Sequence, residues 1–119
     1  MSGWLYILAE DGKTPIPEPD VLVWGKWFET HKRQIAGGST EVGSMHVSTV
    51  FLGIDYSFHG LRGVPILWET KIFGGVGECE GYERRYSSYD DAVSGHDFTV
   101  DWARSVWMHA VPKESGGVE

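Results

Sequence analysis

The segment Met45-His-Val-Ser-Thr-Val-Phe-Leu-Gly-Ile54 is rich in β-branched and apolar residues, a composition that is typical of a β-strand. Successive side chains of a strand point to opposite faces of the sheet. One face would carry Met45, Val47, Thr49 and Phe51, and the other would carry His46, Ser48, Val50, Leu52 and Ile54. Because both faces hold apolar groups, we predict a central strand.

Further strands are predicted on both sides of this segment. Asp11-Gly12 is a strong hairpin signal, and the prolines that follow it allow only a short edge strand. Residues 37–40 (Gly-Gly-Ser-Thr) predict a turn or loop, as do residues 55–64, which contain two glycines. The predicted strands are residues 4–9, 14–17, 45–54, 65–73 and 82–86.

Two amphipathic helices complete the pattern. Asp20 is the expected N-cap of a helix that runs to about His31. Ser88 is the expected N-cap of a second helix that runs to about Ala110, before a proline. Gly95 is a weak point of that second helix, because glycine disfavours a helix interior. The apolar face of the second helix would hold Tyr89, Ala92, His96, Val100, Ala103, Val106, Trp107 and Ala110.

The element order is close to ββαβββα and predicts an α+β fold. We expect an antiparallel sheet of about four to five strands, with the two amphipathic helices packed on one face. A chain of 119 residues with 41% hydrophobic residues fits one domain. We place this domain at residues 1–112 and expect residues 113–119 to be a disordered tail.

The formal net charge of −7 limits the classes of partner. It argues against a general nucleic-acid binder and against binding to anionic membranes, because both need a Lys/Arg surface. It leaves two interpretations open, an acidic protein whose charge only opposes association and a protein that docks on a basic surface. The single cysteine excludes an intramolecular disulfide, and with no visible signal peptide or membrane span we expect a cytoplasmic location in whatever cell makes the protein.

Patterns that would indicate catalysis or a cofactor are weak. The five histidines form no HxxxH or HxH pair, so we predict neither a metal site nor a cofactor. Cys79 lies between Glu78 and Glu80, whose charges raise a thiol pKa and disfavour the nucleophilic thiolate. No phosphate-binding glycine motif is present. We therefore predict no catalytic residues, and keep as an alternative an enzyme or metal site around Asp55, Glu69, His59 and His96.

The most specific feature is a concentration of acidic residues near the C-terminus. Seven of the seventeen acidic residues lie between Glu78 and Asp101. Three of them should form one stripe on the second helix, flanked by two aromatic residues one turn apart. This arrangement predicts either a partner-binding surface or a solvated helix face with two rings at the core margin. The candidate partner-binding residues are Asp90, Asp97, Asp101, Phe98, Trp102, Glu78 and Glu80.

Three stretches of the chain share a pattern with a known group of proteins. They are Val47-Ser-Thr-Val-Phe-Leu-Gly-Ile-Asp55, Pro65-Ile-Leu-Trp-Glu-Thr-Lys-Ile-Phe-Gly-Gly75 and Arg85-Tyr-Ser-Ser-Tyr-Asp-Asp-Ala-Val-Ser-Gly-His96. Together they resemble a family of small uncharacterised bacteriophage and prophage proteins, over about residues 4 to 105. Tyr56 departs from the pattern, since many relatives carry His there. The resemblance supplies no catalytic residues.

A phage origin, which the resemblance implies, points to a class of function by analogy. We expect a non-enzymatic inhibitor of a bacterial defence system, of the anti-CRISPR type, that acts in the host bacterial cytoplasm. Its acidic surface would bind a Cas protein of a type I system, either the surveillance complex or the nuclease–helicase that it recruits. A phage housekeeping or assembly factor is a further alternative. The sequence leaves open whether the chain forms a homodimer.

Overall fold

The fold is known from a computed structural model, which describes residues 4–57 and 64–110. The predicted tail and His59 lie outside these ranges, as does most of the predicted 55–64 loop. Within these ranges, two α-helices and six strands run in the order ββαββββα. The strands are β1 (Tyr6–Leu8), β2 (Pro15–Pro17), β3 (Gln34–Val42), β4 (Met45–Phe51), β5 (Trp68–Phe73) and β6 (Glu83–Tyr86), and the helices are α1 (Val21–Thr30) and α2 (Tyr89–Ala110).

The sheet confirms the predicted α+β class. Strands β3, β4, β5 and β6 pair in that order, each antiparallel to its neighbour, while β1 and β2 form a separate two-stranded hairpin. β4 is a central strand, as predicted, with Met45, Val47, Thr49 and Phe51 buried on one face and partly buried residues on the other. The sheet therefore has one face turned to the core and one largely polar face.

Strand β3 corrects the prediction of a turn or loop at residues 37–40. All four residues belong to β3, where Ser39 and Thr40 pair with β4 in the register Ser39↔Ser48 and Thr40↔Val47, and the register shifts between Gln34 and Ser39. The pairing is irregular there, and Gly37 adopts a φ of 70° that other residues rarely take. Glycines within this segment thus mark an irregularity inside a strand, not its end.

Both helices contact the buried face of the sheet. Helix α2 lies along it, and Val100, Ala103 and Val106 join Met45 and Val47 in one core cluster. A second cluster surrounds Phe51 and Trp68, and α1 reaches it through the partly buried rings of Trp27 and Phe28. The long helix therefore covers the sheet, and the short one closes the end of the core near Phe51.

The predicted N-caps are confirmed for both helices. Asp20 Oδ1 accepts hydrogen bonds from the backbone N–H groups of Leu22, at 2.9 Å, and Val23, at 3.3 Å. Ser88 Oγ accepts from the Asp91 N–H at 3.0 Å. These bonds satisfy N–H groups that a helix leaves without partners in its first turn. Among the described residues, no helix combines the length and apolar character that crossing a membrane requires.

Candidate functional site

The predicted acidic stripe lies on the solvent side of α2. Asp90, Asp97 and Asp101 are all exposed, whereas the buried residues of α2 face the sheet. One ion pair touches the stripe, between Arg104 and Asp101 at 3.6 Å, and both side chains are more than half exposed. Such pairs are screened by water and neutralise little of the field that a partner would meet. We refer to Asp90, Asp97 and Asp101 as the acidic stripe.

The two aromatic residues beside the stripe have different environments. Phe98 is 59% exposed, although the Arg84 guanidinium lies 5.9 Å from the centre of its ring. Trp102 is partly buried and packs against Tyr82 with ring centres 5.0 Å apart. Phe98 is therefore the ring available to a partner, and Trp102 belongs largely to the margin of the core, as the alternative interpretation expected.

Glu78 and Glu80 flank a buried cysteine beside the C-terminal half of α2. Both glutamates are exposed, in and just after a 3-10 turn formed by Gly77–Cys79. Cys79 packs in the core cluster beneath α2, and burial, with a smaller contribution from Glu78, raises the pKa of its thiol. The turn thus presents two carboxylates on its outer side while its third residue anchors it to the core.

The three described residues of the alternative enzyme site do not form one cluster. Glu69 accepts a hydrogen bond from Arg85 Nε at 3.0 Å on the polar face of the sheet. His96 lies on the opposite face, in contact with Thr49. Asp55 Oδ1 accepts backbone hydrogen bonds from Ser57, at 2.8 Å, and Ile66, at 3.0 Å, so this carboxylate is bonded to the backbone. The fourth residue of this set, His59, is not among those described.

His96 belongs instead to a chain of buried hydrogen bonds that the sequence did not predict. Its Nε2 lies 2.9 Å from Thr40 Oγ1, and its Nδ1 lies 2.7 Å from Thr49 Oγ1. The Thr49 hydroxyl contacts the Thr70 hydroxyl at 2.5 Å, and the Tyr86 hydroxyl donates to Thr70 Oγ1 at 2.9 Å. Burial lowers the pKa of His96 and favours the neutral ring, although Asp97 opposes this effect. The chain links α2 to four residues of the sheet.

A second unpredicted array lies on the polar face of the sheet. His46 Nε2 lies 3.0 Å from Ser39 Oγ, and His46 Nδ1 lies 2.6 Å from Glu41 Oε2. This is the connectivity of a hydroxyl–imidazole–carboxylate triad. The His46 and Glu41 side chains are 35% and 72% exposed, however, whereas acyl transfer relies on a site that excludes water. We therefore interpret the array as a cross-strand polar cluster.

The signal for this second array was present in the sequence. Gly43-Ser44 between two β-rich segments is typical of a two-residue hairpin, and the structure pairs Val42 with Met45 across it. That turn would have predicted β3 and placed Glu41 opposite His46. His96 had no comparable signal, because its partners lie far away in the chain.

Within residues 4–57 and 64–110, no group of three or more histidine, cysteine or acidic residues is placed to hold a metal ion. Comparison with known proteins finds no matching family model, no matching curated protein and no matching solved structure.

Proposed function

We propose that this protein is a non-enzymatic binding protein that docks the acidic stripe of α2 on a basic surface of another protein. The observation that carries the proposal is the exposure of Asp90, Asp97 and Asp101 in one stripe beside the exposed ring of Phe98. An exposed ring supplies apolar area that a partner can bury, and the charges around it accelerate encounter and select the partner.

Two further exposed carboxylates lie near the C-terminal end of α2, at a distance from the stripe. Glu78 and Glu80 are exposed in and just after the 3-10 turn, which packs against the C-terminal half of α2 on its core side. These glutamates carry the same negative charge as the acidic stripe. A partner that contacts both the 3-10 turn and the stripe on α2 therefore needs an extended basic patch. A basic patch of this kind is the electrostatic footprint of a nucleic-acid-binding surface. Occupation of such a patch by acidic side chains would exclude the nucleic acid from it.

The choice of partner class is based on the resemblance of the three sequence motifs to phage proteins. We propose an inhibitor of a bacterial defence system, with a Cas protein of a type I system as the target. Either the surveillance complex or the nuclease–helicase fits, because both bind nucleic acid through basic surfaces. This part of the proposal is an analogy and is tested separately from the binding surface.

The binding test compares two charge-reversed variants with equal net charge. The first carries Asp97→Lys and Asp101→Lys, in the middle of α2 where the helix dipole has little effect. Asp90 is left in place because its carboxylate stabilises the first turn of the helix. The control carries Glu10→Lys and Glu29→Lys, two exposed positions outside the stripe. Circular dichroism verifies that both variants fold.

Affinity for each purified type I component is measured by biolayer interferometry at low and high salt. We expect the wild type and the control to bind one component, the stripe variant to bind it at least about 100-fold more weakly, and salt to weaken wild-type binding. Equal binding by the stripe variant and the control would refute the role of the stripe. Binding to neither component, with no protection of a targeted phage in a defended host, would refute the class of partner.

A further inference from the structure

Helix α1 is poorly covered by the rest of the described structure, although it is rich in apolar residues. None of its ten residues is buried, and its Trp27 and Phe28 rings reach the core only in part. A helix of this length is marginally stable in water unless one of its faces is packed. Gly25 in its interior weakens it further. Packing against a further element would therefore stabilise α1.

The exposed apolar residues of α1 lie in its first turn. Val21, Leu22 and Val23 have exposed fractions of 58%, 81% and 47%. At about 100° per residue, Leu22 points almost directly away from the side that carries Trp27 and Phe28. Single apolar residues are normal on a protein surface, but three in succession form a patch. The first turn of α1 is thus an apolar patch that the other described residues leave open.

The next turn of α1 leaves space beside Leu22. Gly25 lies three residues after Leu22, so both are on one face of the helix. A Cβ atom at Gly25 would have no neighbour within 4 Å, so the surface above its backbone is open. The projecting side chain of Leu22 and the flat surface at Gly25 are complementary in shape. Because both belong to the same helix, a second α1 that runs in the opposite direction fits them reciprocally.

The distribution of charge favours a second copy of the chain as the occupant of this face. Residues 4–33 contain five acidic and four basic residues, whereas residues 34–119 contain twelve acidic and six basic ones. The N-terminal part is therefore nearly neutral, and two copies of this acidic chain repel each other least there. A membrane surface fits less well, because Glu18, Asp20 and Glu29 lie beside the patch and oppose contact with anionic lipids.

From the exposed first turn, the open surface at Gly25 and this charge distribution, we propose that two copies of the chain associate through α1. The two helices cross in antiparallel directions about a twofold axis, and Leu22 of each copy packs on Gly25 of the other. This arrangement places Lys26 of each copy near Asp20 of the other, where the ammonium and the carboxylate attract each other. The association uses neither α2 nor the acidic stripe, so it is independent of the proposed function.

The test compares two variants of the full-length chain that carry the same added charge. Leu22→Glu places a carboxylate in the centre of the proposed contact, and a carboxylate in the first turn of a helix stabilises that helix. Met108→Glu is the control, because Met108 is 67% exposed on α2, outside the proposed contact. A third variant, Gly25→Gln, fills the open surface with a residue that favours a helix more than glycine does. Circular dichroism verifies that all three variants fold.

Sedimentation equilibrium measures the association of each variant, for which the mass of one copy is 13.3 kDa. Two crossing helices of this length bury less area than a standard interface, so we expect a weak wild-type dimer with a Kd below about 0.5 mM. Met108→Glu should match the wild type, while Leu22→Glu and Gly25→Gln should each weaken dimerisation at least about tenfold. A wild type that stays monomeric at about 1 mM, or undiminished dimerisation of either α1 variant, would overturn the proposal.

A mixture of isotope-labelled and unlabelled protein identifies the residues that meet between copies. Isotope-filtered NMR should detect contacts between the Leu22 methyl groups of one copy and the Gly25 α-protons of the other. A dimer that lacks these contacts, such as one formed through the edge of the sheet, would also overturn the proposal. Both measurements follow self-association alone, so their outcome does not depend on whether the acidic stripe binds a partner.

Discussion

Replacement of Gly95 by alanine is the sharpest test of the packing of α2. Helix propensity alone predicts that Gly95→Ala stabilises the protein by about 1 kcal/mol. The structure predicts the opposite sign, because a Cβ atom at Gly95 would overlap the ring and hydroxyl of Tyr86. Tyr86 cannot move away easily, since it is buried and its hydroxyl donates to Thr70 at 2.9 Å.

The expected size of the effect follows from these contacts. Overpacking a core generally costs about 1–3 kcal/mol, and loss of the Tyr86–Thr70 hydrogen bond costs about 1 kcal/mol more. The gain in helix propensity offsets about 1 kcal/mol of this loss. We therefore expect Gly95→Ala to lower the free energy of unfolding by about 1–3 kcal/mol.

A matched control exists in the other helix. A Cβ atom at Gly25, in α1, would have no neighbour within 4 Å, so Gly25→Ala should raise the free energy of unfolding by about 0.5–1 kcal/mol. Urea denaturation followed by tryptophan fluorescence measures both variants. A Gly95→Ala variant as stable as the wild type would refute the packing argument. Tyr86→Phe, combined with Gly95→Ala, should recover part of the loss, because it removes one of the overlapping atoms.

Two further predictions concern buried titratable groups. Burial lowers the pKa of His96 in the fold, so the unfolded chain binds a proton more readily, and stability should fall as the pH drops below about 6.5. Urea titrations between pH 5 and 7 should show a steeper loss for the wild type than for His96→Gln, and parallel curves would contradict the assignment. Because Cys79 is fully buried with a raised pKa, its thiol should react with a disulfide reagent at least about 100-fold more slowly in buffer than in urea. Similar rates in both conditions would contradict its placement.

Local patterns in the sequence predicted most of the secondary structure. The alternation of Met45 to Phe51 predicted a central strand, and Asp20 and Ser88 predicted where the helices begin. β3 was missed because Gly37 and Gly38 are typical of a loop, and this pattern was given more weight than the hairpin signal of Gly43-Ser44, across which β3 pairs with β4. In the candidate site, the exposure of the acidic stripe followed from helical spacing, but the burial of much of Trp102 depended on contact with Tyr82.

The periodicity of apolar and charged residues was enough to establish the fold class, the core face of α2 and the exposed aspartates, because these depend on neighbours along the chain. Contacts between distant segments established the rest. Thr40, Thr49 and His96 meet in one buried chain, Tyr86 occupies the space that makes Gly95 necessary, and the indole N–H of Trp68 is left without an acceptor. Such features arise when close packing brings particular atoms together, which no local pattern of residues specifies.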